Sequence, residues 1–202
     1  MADKANKDLV QYNIQNAVYS VDGSVVKPLG YAVALSLQRN QETKDFYGDG
    51  KLQLSVITDK GQSGNIDLTA RDSDFEKDLG MVMEITGGEA EVSVATNKSI
   101  SIGAEVIVMN KAGETKVKKC WWFGVSVGAS GETYNQTTTT INEANASYPL
   151  TINGVDLMDS TGASIYKDSN GMSYKCYKLS ALPTDTGYAT FLDSVPAVKA
   201  KA

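Results

Sequence analysis

The stretch Glu42–Gly80, ETKDFYGDGKLQLSVITDKGQSGNIDLTARDSDFEKDLG, sets strand, turn and helix signals side by side. Lys51 to Thr58 alternates, with Leu52, Leu54 and Val56 on one side, and Ile66 and Leu68 alternate with Asn65, Asp67 and Thr69. A period of two is the signature of a strand with one buried face. Ser73 and Glu76 then have capping-box spacing, in which each side chain reaches the other's backbone N–H. Acids at Asp74 and Glu76 suit the positive start of a helix, and Gly80 suits the left-handed residue that ends one. Phe75 and Leu79, four apart, give that short helix one apolar face for packing on a sheet. Ahead of these elements, Asp45-Phe-Tyr-Gly-Asp-Gly50 reads as an acidic loop.

Outward from this stretch the strand pattern continues. Leu9 to Val21 reads as a strand ended by a turn at Asp22-Gly23, and Tyr31, Val33, Leu35 and Leu37 share one face of the next. Beyond Gly80 the pattern predicts strands at Met81–Thr86, Glu91–Thr96 and Ile100–Met109, with breaks at Gly87-Gly88 and a turn over Lys111–Glu114. The strongest strand is Val117–Val127, with Val117, Lys119, Trp121, Phe123, Val125 and Val127 on one face. Its other face mixes Lys118, Cys120, Trp122, Gly124 and Ser126, which suits a strand packed on both sides. Thr133–Asn142 and Ser147–Asn153 read as further strands, and Asn153-Gly154 as a tight turn. Asn170-Gly171 sits between Ser164–Lys167 and Met172–Leu179 and predicts a hairpin. The tail from Asp193 reads as exposed. The expected architecture is mainly β: a sandwich or partly closed barrel of two packed sheets with one short flanking helix. Residues 1–154 form its domain, and 155–202 form a C-terminal hairpin extension packed on it.

Acids outnumber bases 24 to 19 across the 202 residues, a net charge of −5, and Arg39 and Arg71 are the only arginines. Phosphate binding draws its affinity from clustered cations, so tight nucleic-acid binding is not expected. Passive contact with DNA remains compatible with this charge. Met1-Ala-Asp-Lys-Ala-Asn-Lys7 has no apolar signal region, and no apolar run reaches bilayer length, so synthesis and folding in the cytoplasm are expected. Cys120 and Cys176, far apart in sequence, read as two free thiols.

Histidine is absent, which excludes Ser-His-Asp triads, HExxH zinc sites and any histidine base. Gly48-Asp-Gly50-Lys51 lacks the first glycine and the Ser/Thr of a phosphate loop, since Asp45 and Leu52 stand there. Asp45, Asp49 and Gly50 begin a calcium-loop pattern, but Tyr47 and Val56 fill two ligand positions. Ser164 and Lys167 match Ser-x-x-Lys spacing in a segment that reads as strand, where that chemistry needs a helical turn. No enzyme, cofactor or metal is expected.

Asp45-Phe-Tyr, Asn65-Ile-Asp-Leu and Phe75-Glu-Lys-Asp-Leu-Gly80, followed by Lys119-Cys-Trp-Trp-Phe-Gly and Thr137-Thr-Thr-Thr, form an order that carries a resemblance. Across Val10–Gly154 the chain resembles the major tail proteins, or tail-tube proteins, of long noncontractile-tailed bacteriophages and related prophages. The resemblance implies two packed β-sheets with a flanking helix, closing into hexameric rings that stack into a virion tail tube. It implies assembly in the host bacterial cytoplasm, with tape-measure, tail-terminator and distal-tail proteins as partners and DNA as transient cargo. A long early loop contacts the next ring in that family, which corresponds here to Lys44, Asp45, Phe46, Tyr47, Asp49 and Lys51. Channel-wall strands would carry Lys118, Trp122, Thr137 and Thr139, and Phe75 and Leu79 would pack the helix.

Independent physics agrees in direction. Open sheet edges are association surfaces, head-to-tail contacts close into rings, and an acidic wall would pass DNA that a basic wall would hold. Two other readings stay open: a β-sandwich module binding carbohydrate through Trp122 and Tyr174, and a tube subunit of a related secretion-type system.

Overall fold

The computed structural model describes residues 8–93, 98–131, 145–159, 161, 162, 171 and 173–199. Its strands are β1 (Asp8–Val21), β2 (Lys27–Pro28), β3 (Ala32–Gly48), β4 (Lys51–Leu68), β5 (Val82–Ile85), β6 (Gly88–Glu91), β7 (Ile100–Asn110), β8 (Thr115–Val127), β9 (Ala146–Ile152), β10 (Val155–Asp156), β11 (Lys175–Cys176) and β12 (Lys178–Ala181); α1 is Ser73–Leu79. The fold is mainly β with one short helix, as the alternation predicts. One large antiparallel sheet runs β2-β1-β7-β8-β9-β4-β3, and β12 adds to β8 beside β9. β5–β6 and β10–β11 are small two-stranded sheets.

The large sheet curls until β1, next to one end of its order, and β3, at the other, approach one another without pairing. The result is an open barrel rather than a closed one. Its interior collects Tyr19, Ile66, Leu68, Ile102, Trp122, Tyr148 and Ile152 into one buried cluster, to which β3 adds Leu35 and Leu37. α1 covers one end. Phe75 and Leu79 are both buried there, and Phe75 meets Tyr19 and Tyr148 edge-on at centroid distances of 4.7 and 5.7 Å.

β8 is central and buried on both faces, but its alternation is not continuous. Gly124 has φ +61° and a Cβ there would lie 2.5 Å from the Gly154 carbonyl oxygen. The pairing slips beside it, from Trp122 opposite Ile102 to Val125 opposite Ile100. This bulge turns Val125 to the face of Cys120 and Trp122, not to that of Trp121 and Phe123. Trp121 and Phe123 instead form a second cluster with Val198, flanked by Phe191, Leu192 and Val195. The tail after Asp193 is therefore not simply exposed. Trp121 Nε1 donates to the Phe191 carbonyl at 2.7 Å, and Met158 pairs with Lys199. An indole N–H on a buried face needs an acceptor, and the returning chain supplies it.

Three further expectations change. The capping residue is Asp72, whose side chain accepts from Phe75 N at 3.0 Å, not Ser73. Glu76 does not turn back to Ser73, because it accepts instead from Arg71 and from the Tyr148 hydroxyl in the interior. β6 occupies Gly88–Glu91, so the strand after Gly87 starts earlier than Glu91. The predicted hairpin at Asn170-Gly171 has its first arm outside the described residues, while the second divides, β11 pairing β10 and β12 pairing β8.

Candidate assembly interface

β3 and β4 form a single antiparallel ladder from Ala32 opposite Leu68 to Gly48 opposite Lys51. The two strand runs expected between Lys51 and Ala70 are thus one strand, and the expected acidic loop is strand and turn. Asp49 and Gly50 have φ of 52° and 72°, the paired positive values of a type I′ turn. An Asp-Gly pair between alternating runs is the strongest short hairpin signal, and it was legible at this position.

Only half of this ladder belongs to the barrel. β4 residues Gln62–Leu68 pair with β9 on their other side, whereas residues 41–47 and 51–60 are all exposed. The arm extends about 25–30 Å at a strand rise of roughly 3.3 Å per residue. Leu52, Leu54 and Val56 share a stripe as predicted, but no core among the described residues covers it: Leu52 and Leu54 are each 55% exposed and Tyr47 is 69% exposed. Phe46 stands opposite Leu54 and Tyr47 opposite Leu52, so apolar pairs recur across the ribbon. Its polar contacts are local. Ser55 Oγ donates to Asp45 at 2.6 Å, Gln53 Nε2 donates to the Gly48 carbonyl at 3.1 Å, and the Lys44 ammonium lies 5.3 Å from the Phe46 ring.

The arm is fixed at its root. The pairing slips between Arg39 and Gln41, and Arg39 Nη2 pairs there with Asp59 at 2.6 Å while its guanidinium lies 5.7 Å from the Tyr177 ring. Lys60 pairs with Glu42 at 3.0 Å just beyond. The outer edge of β3 has no partner strand among the described residues.

At the other end of the ladder, α1 and β5–β6 are bound together by charge. Lys77 pairs with Glu84 at 2.8 Å and with Glu89 at 2.7 Å, which lifts the lysine above its ordinary value and holds Glu89 below the usual carboxylate range. Burial would raise the Asp78 carboxyl, but hydrogen bonds from Lys27 and Tyr19 outweigh it and leave the group lowered. Tyr148 is pushed up to about 12 by burial and by its bond to Glu76.

The other predicted site residues fall elsewhere. Trp122 lies in the barrel interior, 5% exposed, with the Lys178 ammonium 4.8 Å from its ring. Lys118 is half-buried on the face of β8 that carries Cys120. Thr137 and Thr139 lie outside the described residues, and Tyr174 is exposed. Both cysteines are free. Among the described residues no acidic or thiol cluster could hold a metal ion, and no helix is long and apolar enough to cross a membrane.

No protein-family model matches the chain, and no curated protein matches it. Among solved structures it is similar to the tube-terminating cap of the anti-feeding prophage, at 17% identity and a TM-score of 0.32, over 75% of this chain and 95% of that one. A likeness at that level carries no argument about what this chain does.

Proposed function

We propose that this protein is a non-catalytic structural subunit of a phage-type tail tube, assembling with copies of itself through the β3–β4 arm. The observation that supports this most is the arm: a two-stranded ribbon with exposed Phe46, Tyr47, Leu52, Leu54 and Ile57 and no covering element among the described residues. An isolated hairpin is marginally stable in water, and an exposed apolar stripe of this kind marks an interaction site. The sequence resemblance to major tail proteins supplies the finer reading: hexameric rings, stacked through the arm in a virion tail, with DNA as passing cargo and other tail proteins at its ends. Electron microscopy of the purified protein, concentrated, tests it. Rings or stacked tubes are expected, and deletion of residues 45–50 should leave the monomer folded yet abolish stacking. Normal tubes from the deletion variant would refute the role of the arm, and a monomer at every concentration would refute self-assembly.

A further inference from the structure

A head-to-tail stack needs two different surfaces at opposite poles of each subunit. The ladder defines the poles. Its turn, Asp49-Gly50, is one end; its other end, Ala32 opposite Leu68, adjoins α1 through the bonds from Thr69 N to Tyr31 O and from Gly30 N to Asp72. Roughly 50 Å separates the two at about 3.3 Å per residue.

The helix pole carries exposed apolar side chains on two separate elements. Tyr31 is 85% exposed, and Met83 and Ile85 on β5 are 54% and 58% exposed. Two clefts of about 720 and 430 Å³ meet there, sharing Tyr31, Asp72, Asp74 and Lys77 in their walls. The Lys77–Glu84 and Lys77–Glu89 pairs and the bond from Ser73 Oγ to Glu89 fix β5–β6 to the helix, so the relief is preformed. Asp74 is exposed and makes no hydrogen bond or ion pair with the described residues. On the arm, Lys51 likewise makes no hydrogen bond or ion pair with the described residues, and the Lys44 ammonium lies over the Phe46 ring.

We propose that the pole formed by Tyr31, Asp74, Met83 and Ile85 is the surface on which the β3–β4 arm of another copy docks. This rests on the tail-tube reading above and names the receiving surface. The occupant follows from complementarity: apolar Tyr47, Leu52 and Leu54 beside unpaired Lys51, against Tyr31, Met83 and Ile85 beside unpaired Asp74. The competing receptor is the mouth of the barrel, an apolar groove of about 520 Å³ between Tyr12 and Ile14 on β1 and Val33, Leu35 and Leu37 on β3. That groove includes Gln62, next to the root of the arm itself. A copy facing the same way presents its opposite pole to the arm, whereas the groove runs along the side of the barrel between β1 and β3.

The test uses the full chain with benzoylphenylalanine incorporated at position 47, concentrated, irradiated and mapped by mass spectrometry, with assembly followed by electron microscopy. Intermolecular cross-links to residues 72–91 are expected. Rings or tubes whose cross-links fall on residues 10–14 or 33–37 but not on the helix pole would overturn this assignment while leaving self-assembly standing; absence of any assembly would overturn both. A charge exchange reads the same contact. Lys51→Glu should raise the concentration needed for assembly about tenfold, and Asp74→Lys added to it should restore assembly. A double variant no better than Lys51→Glu alone would contradict the pairing. Circular dichroism of each variant should match wild type, because neither side chain makes a hydrogen bond or ion pair with the described residues of its own chain.

Discussion

Replacing Glu76 by alanine tests how the helix is held on the barrel. Glu76 is 3% exposed and accepts from Arg71 Nη2 at 2.5 Å and from the Tyr148 hydroxyl at 2.9 Å. The substitution leaves a buried phenol without its acceptor, which costs about 1–3 kcal/mol. Breaking a buried ion pair costs about 3–5 kcal/mol when the survivor is stranded. Arg71 is 29% exposed and keeps Glu91, so its share falls below that range, to about 1 kcal/mol, and with about 2 kcal/mol for the phenol the total is about 3 kcal/mol. For a chain of this length that lowers Tm by roughly 6–12 °C. Calorimetry gives the shift, and a double-mutant cycle with Tyr148→Phe should return a coupling of about 1 kcal/mol. A loss well under about 1 kcal/mol, or strict additivity, would refute the claim that Glu76 ties α1 to β9.

Gly64→Ala should be among the most damaging single changes, because its Cβ would lie 1.8 Å from the Ser36 carbonyl oxygen on the paired strand; denaturant unfolding should show a loss of at least about 3 kcal/mol. Trp121→Phe removes the indole bond to the Phe191 carbonyl, so limited proteolysis should cut residues 182–199 faster in the variant while the barrel core stays protected. Alkaline pH should destabilise the fold. Tyr148 has a folded-state value of about 12, above that of the unfolded chain, so its contribution is complete below about pH 10 and is lost as pH rises towards 12. Tyr148→Phe should flatten that part of the stability profile. At the acid end the lowered Asp78 and Glu89 contribute above about pH 4–4.5, and that contribution is lost as pH falls through their folded-state values.

The strands and the helix were legible because their signals are local. Alternation at Leu52–Val56 and Ile66–Leu68, the Phe75–Leu79 spacing and Gly80 all act within a few residues. What alternation cannot state is what covers a stripe. The stripes at Leu52–Val56 and at Ile66–Leu68 look alike, yet the second lines the barrel and the first stands in solvent. The bulge at Gly124 was hidden for a related reason, since glycine in a strand signals a possible close approach without naming the Gly154 carbonyl that approaches. The true cap Asp72 is one residue from Ser73, and both types cap well. Only the long-range partners of Asp72 and Glu76, which are Gly30, Arg71 and Tyr148, select between them. The C-terminal return onto Trp121 gave no periodic signal at all, because its contacts come from turns and single side chains such as Val198.

On the proposed reading, the β3–β4 arm is covered by another copy of this chain. Cryo-electron microscopy of the concentrated protein measures this directly. Assembled particles in which every arm from Gln41 to Lys60 lies buried against a neighbouring subunit are the expected result. Ordered rings or tubes in which the arms remain in solvent would contradict the account.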